Sequence, residues 1–272
     1  MVVLGAPAAA PAASERVAAL QVGLRARGVY AGNVDGLQGP GTSAGVRRLQ
    51  RKAGLQVDGI AGPRTRRALG ALGRHGIGSR ALHAGDRGFD VAALQFALES
   101  HGFPLATVDG HFGEHTKAAL IKAQAYGGLR QDGIAGPATR ALLRRPPPQA
   151  PPLRKPILAR VGDRYGPRGA GWHPGLDFPA PTGTPVTAAA AGRAVFVGYD
   201  DGYGLTVVLD HGNGIKTRYA HLSVAAIANR TNVLPGSLIG RVGATGRATG
   251  PHLHFEVTVR GAATDPARAL GL

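Results

Sequence analysis

The sequence predicts a multidomain chain: two small all-α modules of about three helices each, followed by an all-β, mainly antiparallel domain. Three observations carry that prediction. A block of sequence repeats at a fixed offset in the first half, a proline run interrupts the chain near its middle, and beyond it helical spacing gives way to alternation. At 272 residues the chain exceeds the usual single-domain size of roughly 100–200, so each part has room for a core.

The helical modules come first. Val17–Gln21 (VAALQ) returns at Val91–Gln95, Val34–Gly36 at Val108–Gly110 and Asp58–Pro63 at Asp132–Pro137, each 74 positions later (91 − 17). A smaller unit recurs within each copy: Asp35-Gly36 precedes Thr42 and Asp58-Gly59 precedes Thr65, as Asp109-Gly110 precedes Thr116 and Asp132-Gly133 precedes Thr139. Asp-Gly predicts a tight turn, and the threonine is expected to cap the helix that follows. Val17, Leu20 and Leu24, repeated as Val91, Leu94 and Leu98, form helical stripes, and Gly28 and Gly102 stand where those helices should end. The expected modules are 14–73 and 82–145. Residues 1–13, from MVVLGAPAAAPAAS, lack a positive leader segment yet end in small residues, and read as a disordered Ala/Pro extension or a signal-peptide remnant.

Residues 146–156 belong to RRPPPQAPPLRKP, which cannot continue a helix and predicts a semi-extended spacer. From 157 to 272 the chain breaks into short β-like runs, among them AVFVGY, LTVVLD, KTRYAHL and LHFEVTV, with glycine between them. Asn213-Gly214 between two such runs predicts a hairpin.

Composition narrows the chemistry. There are no cysteines, which excludes disulfides, zinc thiolates and thiol nucleophiles, so any metal site is built from histidine and carboxylate. No apolar run reaches the 18 or so residues of a membrane-spanning helix. A formal charge of +16 favours an anionic partner, but no nucleic-acid motif or aromatic-basic cluster accompanies it, and nucleic acid is not expected.

The histidines of the last domain are the candidate site. In HLHFEVTV, His252 and His254 alternate with Leu253 and Phe255, so both share one strand face, either as two ligands or as a ligand and an acid/base neighbour. His173 and Asp177 flank a Pro174-Gly175 turn that can fold them toward one point. With His254 they supply two nitrogens and one oxygen, an open catalytic zinc set completed by water. Glu256, on the same face, reads as an exposed glutamate, with orientation of a ligand as the second reading. His221 reads as a semi-buried strand histidine and His211 as a turn residue. His111 and His115 are replaced by Leu37 and Gly41 in the first copy, and no metal is expected there.

Two resemblances follow from these residues. The pattern of LQ, VDG and DGI.GP.T in Ser14–Leu72 and Leu82–Leu143 resembles the peptidoglycan-binding-domain type 1 modules, which implies peptidoglycan as partner; the second copy has Ala123-Gln124 for Leu49-Gln50. HPGLDF.APTGTPV, GYG..V.LDHGNG..T.YAHLS and TGR.TGPHLHFEV, within about Ile157–Leu270, resemble the lysostaphin-type zinc metallopeptidases. That resemblance implies one zinc ion per chain held by His173, Asp177 and His254, with His221 and His252 as catalytic histidines. The entry segment departs from the family pattern, reading DRYGPR at Asp163–Arg168. Zinc would polarise a scissile carbonyl and acidify a water, and the two histidines would move protons and stabilise the oxyanion.

The expectation is therefore a secreted, monomeric zinc endopeptidase of the extracellular space or cell envelope, cleaving peptidoglycan stems or cross-bridges and tethered to the wall by its two modules. A non-catalytic wall-binding scaffold that activates another hydrolase, and a phage or prophage lysin with the same chemistry, are the alternatives.

Overall fold

The computed structural model describes residues 13–272; the expectation for the amino-terminal extension lies outside the described residues. Helices α1 (Glu15–Ala26), α2 (Pro40–Lys52) and α3 (Pro63–Ala68) form the first module, and α4 (Phe89–Ser100), α5 (Glu114–Tyr126) and α6 (Pro137–Leu143) the second. Gly28 and Gly102 follow α1 and α4 with φ of 68° and 82°, the left-handed conformation that ends a helix cheaply only with glycine.

What holds each half-module together is one buried glutamine amide. Gln21 Nε2 donates to Asp35 Oδ1 (2.7 Å), to the Leu37 carbonyl and to Thr42 Oγ1, while its Oε1 accepts from the backbone N–H groups of Asp35 and Gly36. Gln50, Gln95 and Gln124 gather the same aspartate, carbonyl and threonine in the other three half-modules. A single amide thus uses both donors and its acceptor to fix a turn against a helix, leaving none of its polar atoms unpaired in the core. The expected threonine caps are corrected by this geometry. The capping positions are Gly39, Gly62, Gly113 and Gly136, each helix starts two residues before its threonine, and the buried hydroxyl is taken by the glutamine. Proline at the first helical position of α2, α3 and α6 permits that early start, because its missing N–H is one the helix leaves unpaired anyway.

The equivalent helices α1 and α4 pack along one another, joining Ala18, Ala19 and Val22 to Ala92, Ala93 and Phe96 in a shared core. Small alanines let the two backbones approach, so the modules form one body.

The last domain contains β1 (Gly166–Arg168), β2 (Gly171–His173), β3 (Leu176–Pro179), β4 (Pro185–Thr187), β5 (Gly192–Asp200), β6 (Gly204–Asp210), β7 (Ile215–Ala225), β8 (Asn232–Val233), β9 (Leu238–Val242), β10 (His252–Val259), β11 (Ala262–Thr264) and the short helix α7 (Pro266–Ala269). β1 and β2 make a separate hairpin. The others form an antiparallel sheet ordered β11-β10-β7-β6-β5-β8, with β3 added to β10 and β9 joining β4 to β7. Asn213 and Gly214, at φ of 52° and 77°, turn β6 into β7 with Ile215 N–H donating to the Gly212 carbonyl, the two-residue turn whose twist suits a hairpin. Leu253, Phe255 and Val257 of β10 enter a core with Leu176, Phe178, Tyr219 and Leu222, which turns His254 and Glu256 to the other face.

The two halves meet through the β1–β2 hairpin, whose tip enters the seam between the modules. Val34 N–H donates to the Gly169 carbonyl (2.9 Å) and its repeat equivalent Val108 N–H to the Ala170 carbonyl (2.7 Å), so the duplication grips two successive residues of one turn. Asn33 Oδ1 accepts from Gly169 N–H (2.9 Å), and Trp172 packs edge-on against Phe96 and Tyr165. Gly102 and Ala263 also pair, so closely that a Cβ on Gly102 would lie 1.8 Å from the Ala263 carbonyl oxygen. The proline-rich stretch runs along the β-domain, with Leu153 N–H donating to Ala269 and Arg154 N–H to Ala189.

Beneath this interface Glu99 is wholly buried, one turn beyond Phe96 on α4. Its Oε1 accepts from Leu105 N–H, while Oε2 has no partner, and burial pushes the carboxyl up to about 8. A proton is bound more tightly in the folded than in the unfolded chain, so stability falls as pH rises through the interval from the ordinary carboxylate range to about 8. Glu99→Gln should accordingly raise Tm at pH 8.5 by at least about 3 °C and leave it within about 1 °C at pH 4.5. Thermal scans at the two pH values check this, and an equal shift at both would contradict it.

Candidate metal centre

Antiparallel pairing of β3 with β10 sets Asp177 directly opposite His254, and the β1–β2 hairpin delivers His173 from the side. His173 Nε2 lies 3.1 Å from Asp177 Oδ1 and 3.1 Å from His254 Nδ1, and His254 Nδ1 lies 2.8 Å from the same carboxylate oxygen. Tetrahedral ligands with bonds of about 2.0–2.1 Å stand about 3.3 Å apart, so the three atoms fit one small cation with modest expansion. Among the described residues these three are the grouping of histidine and carboxylate with ligand atoms within 4.8 Å of one another. Two imidazoles and a carboxylate, without thiolate, suit zinc.

Each ligand is oriented from behind. The Arg164 carbonyl accepts from His173 Nδ1–H (2.9 Å), which leaves Nε2 as the lone-pair nitrogen facing the centre. Arg168 Nη2 holds Asp177 Oδ2 at 3.1 Å, leaving Oδ1 for the centre, and binds Asp163 at 2.8 Å. Arg164 and Arg168 are the departing entry segment DRYGPR at work.

His254 Nε2 meets Glu256 Oε1 at 3.0 Å. Glu256 is only 6 % exposed, which corrects the expectation of an exposed glutamate: β10 is covered on both faces, and the side chain lies beneath Tyr203 and Arg218. Tyr203 Oη donates to Glu256 Oε1 at 2.7 Å, Arg218 Nε lies 3.3 Å from Oε2, and the Arg218 guanidinium stacks over the Tyr203 ring and pairs with Asp200. The electrostatics follow from these partners. Burial opposes ionisation of Asp177 and Glu256, yet the imidazoles hold Asp177 well below the usual carboxylate range, and His254, Tyr203 and Arg218 lower Glu256. Burial likewise opposes a charge on His254, but Asp177 and Glu256 outweigh it and push the ring up to about 9. A site that holds a proton so firmly has the negative potential to hold another cation in its place.

His221 and His252 stand beside the trio, their ring centroids 4.6 Å apart. The Thr245 carbonyl accepts from His221 Nδ1–H (2.7 Å) and the Gly250 carbonyl from His252 Nδ1–H (2.8 Å), so both rings keep Nε2 free. His252 Nε2 is 3.8 Å from Asp177 Oδ1, beyond hydrogen-bond reach. His221 has φ of 59°, a left-handed conformation unfavourable for a residue with a Cβ, at a point where the β6–β7 register shifts. Burial lowers its pKa, which makes it a neutral base near pH 7. These residues line a cleft of about 400 Å³ whose rim includes Asp201, Arg247 and Thr249.

The remaining histidines stand apart. His211 bonds the Ala191 carbonyl and Thr217 at the base of its hairpin, and His111 and His115 are exposed on the second module. Tyr203, Arg218 and Arg168 are not among the site residues the sequence predicts. The i+2 spacing of Glu256 from His254 did signal a shared face, but nothing in the sequence announced that this face was roofed.

Comparison with known proteins accords with this architecture. Residues 171–266 match Peptidase family M23, and residues 13–69 and 87–143 match the peptidoglycan binding domain family. The chain is 32% identical over 200 residues to peptidoglycan DD-endopeptidase ShyB of Vibrio cholerae, covering 70% of this chain and 45% of that protein. It is 50% identical over 94 residues to DD-carboxypeptidase/endopeptidase Mpg of Neisseria meningitidis, covering 35% of this chain and 22% of that one. The catalytic domain of lysostaphin from Staphylococcus simulans is 34% identical, with 42% of this chain and 93% of that chain covered at a TM-score of 0.40. The chain thus spans less than half the length of these curated relatives.

The geometry makes Glu256 a positioning residue whose charge matters. Glu256→Gln should weaken zinc binding by about 10–100-fold, read by competition with a fluorescent chelator, while near-ultraviolet dichroism stays native. Unchanged affinity would contradict the role.

Proposed function

We propose, from the match of residues 171–266 to Peptidase family M23, that the protein is a zinc-dependent endopeptidase of peptidoglycan. The observation that carries this reading is the convergence of His173, Asp177 and His254 next to two imidazoles that keep Nε2 open to the cleft. His173, Asp177 and His254 would hold one zinc ion per chain, which would supply Lewis acidity toward a peptide carbonyl and a water.

The chain's own groups complete the chemistry. His221, neutral at pH 7, accepts the proton of the attacking water at Nε2. His252, 4.6 Å away, presents Nε2 to the developing oxyanion and the leaving amine. Both rings are fixed by backbone carbonyls, so little reorganisation accompanies the reaction. Residues 13–69 and 87–143, belonging to the peptidoglycan binding domain family, hold the peptidase at its substrate and raise the local substrate concentration. The formal charge of +16 adds attraction to an anionic envelope, and among the described residues no helix is long and apolar enough to cross a membrane. The wall-binding modules and the charge support action in the extracellular space or cell envelope, and one chain supplies every group named.

Incubation with sacculi should release muropeptides with new amino groups, and a chelator should stop the release. His254→Ala should lose zinc and activity together, whereas His252→Ala should keep zinc and lose at least about 100-fold in turnover. Equal zinc loss in both variants would refute the division between them, and no release from any peptidoglycan would refute the reaction.

A further inference from the structure

The duplication provides an internal comparison for one pocket that the peptidase chemistry does not use. In the first module a pocket of about 500 Å³ opens between the start of α1, helix α3 and residues 74–77. Arg16, Arg66, Arg67, Arg74 and His75 line it together with Pro63, Ile77 and Phe89, and no aspartate or glutamate does. Among the described residues none of these four arginines is in an ion pair.

The corresponding place in the second module holds a pocket of about 370 Å³ with different electrostatics. Counting 74 positions on (90 − 16), Arg16 becomes Asp90 and Arg66 becomes Arg140. Asp90 is buried and paired with Arg80 at 2.8 Å, and Arg80 also holds Asp86 at 2.7 Å. Arg140 donates to the carbonyls of Arg80 and Ala135. Glu15 lines the same pocket. The second pocket therefore answers its cations with carboxylates, Asp90 of its own module and Glu15 from α1, and the first leaves a set of like charges converging on a concavity.

Converged like charges repel, and no carboxylate lines the pocket to offset that repulsion. Guanidinium groups match the oxygens of phosphate in a two-pronged geometry, and several converging on one pocket favour a group with more than a single negative charge. The apolar part of the lining, Phe89, Pro63 and Ile77, suits an organic substituent on that group. We propose that this pocket binds a phosphate ester, giving the first module a second ligand besides the glycan-peptide wall. The phosphate could come from an anionic wall polymer or from a lipid headgroup, and the chemistry recognised is the same.

Calorimetry of the full chain with glycerol 1-phosphate at low salt tests the site without reference to catalysis, so its outcome is separable from that of the proposed reaction. One equivalent should bind, with affinity falling as salt rises. Arg66→Ala/Arg67→Ala should weaken binding at least tenfold, while Arg144→Ala, in the second module's pocket, should leave it unchanged. Undiminished binding in the double variant, equally tight binding of acetate, or absence of binding would overturn the proposal. Displacement by soluble poly(glycerol phosphate) would assign the source to a wall polymer, and displacement by phosphatidylglycerol vesicles to a headgroup.

Discussion

The centre depends on one strand pairing, that of β3 with β10. Its register puts Asp177 opposite His254, and a slip of one residue would turn the carboxylate into the core and Phe178 out of it. The hydrophobic pattern of the two strands forbids that slip, since Leu176, Phe178, Leu253 and Phe255 are wholly buried. The same burial that specifies the fold thus fixes the spacing of two candidate ligands to within hydrogen-bond distance. The third, His173, rests on a weaker element, a hairpin of three-residue strands.

That hairpin is where the helical half of the molecule bears on the β-half. The equivalent residues Val34 and Val108 bond successive carbonyls at its tip, Asn33 Oδ1 accepts from the Gly169 N–H, and Trp172, next to His173, packs on Phe96 of α4. The modules are therefore part of the structure that aims His173 and Arg168 as well as a means of attachment. Arg168 links the hairpin to the centre, because it holds the outer oxygen of Asp177. A short two-stranded element with little apolar area of its own gains its rigidity from such external contacts.

Much of this was legible in the sequence, for identifiable reasons. The 74-residue offset and the change from helical to alternating spacing yield six helices followed by a sheet, and the Asn213-Gly214 turn lies where the dipeptide placed it. Alternation in HLHFEV put His252, His254 and Glu256 on one face, and Pro174-Gly175 folded His173 toward Asp177. What escaped was what depends on long-range packing. Thr42 and its repeats look like caps because capping is a local rule, whereas the glutamine that claims the hydroxyl lies 15 or 21 residues upstream. Glu256 looked exposed because its strand gave no sign of the cover supplied by Tyr203 and Arg218, and Arg168 reaches Asp177 only once the hairpin is folded. Docking of the two halves leaves no periodicity in the chain to read.

X-ray absorption at the zinc edge, on protein loaded with one equivalent of metal, tests the central claim most directly. The account predicts four nitrogen or oxygen neighbours at about 2.0–2.1 Å, with the multiple-scattering signature of two imidazoles, for His173 and His254 beside Asp177 and a water. Three or more imidazoles would place His221 or His252 on the metal, and would contradict the separation of ligands from proton-moving groups on which the account rests.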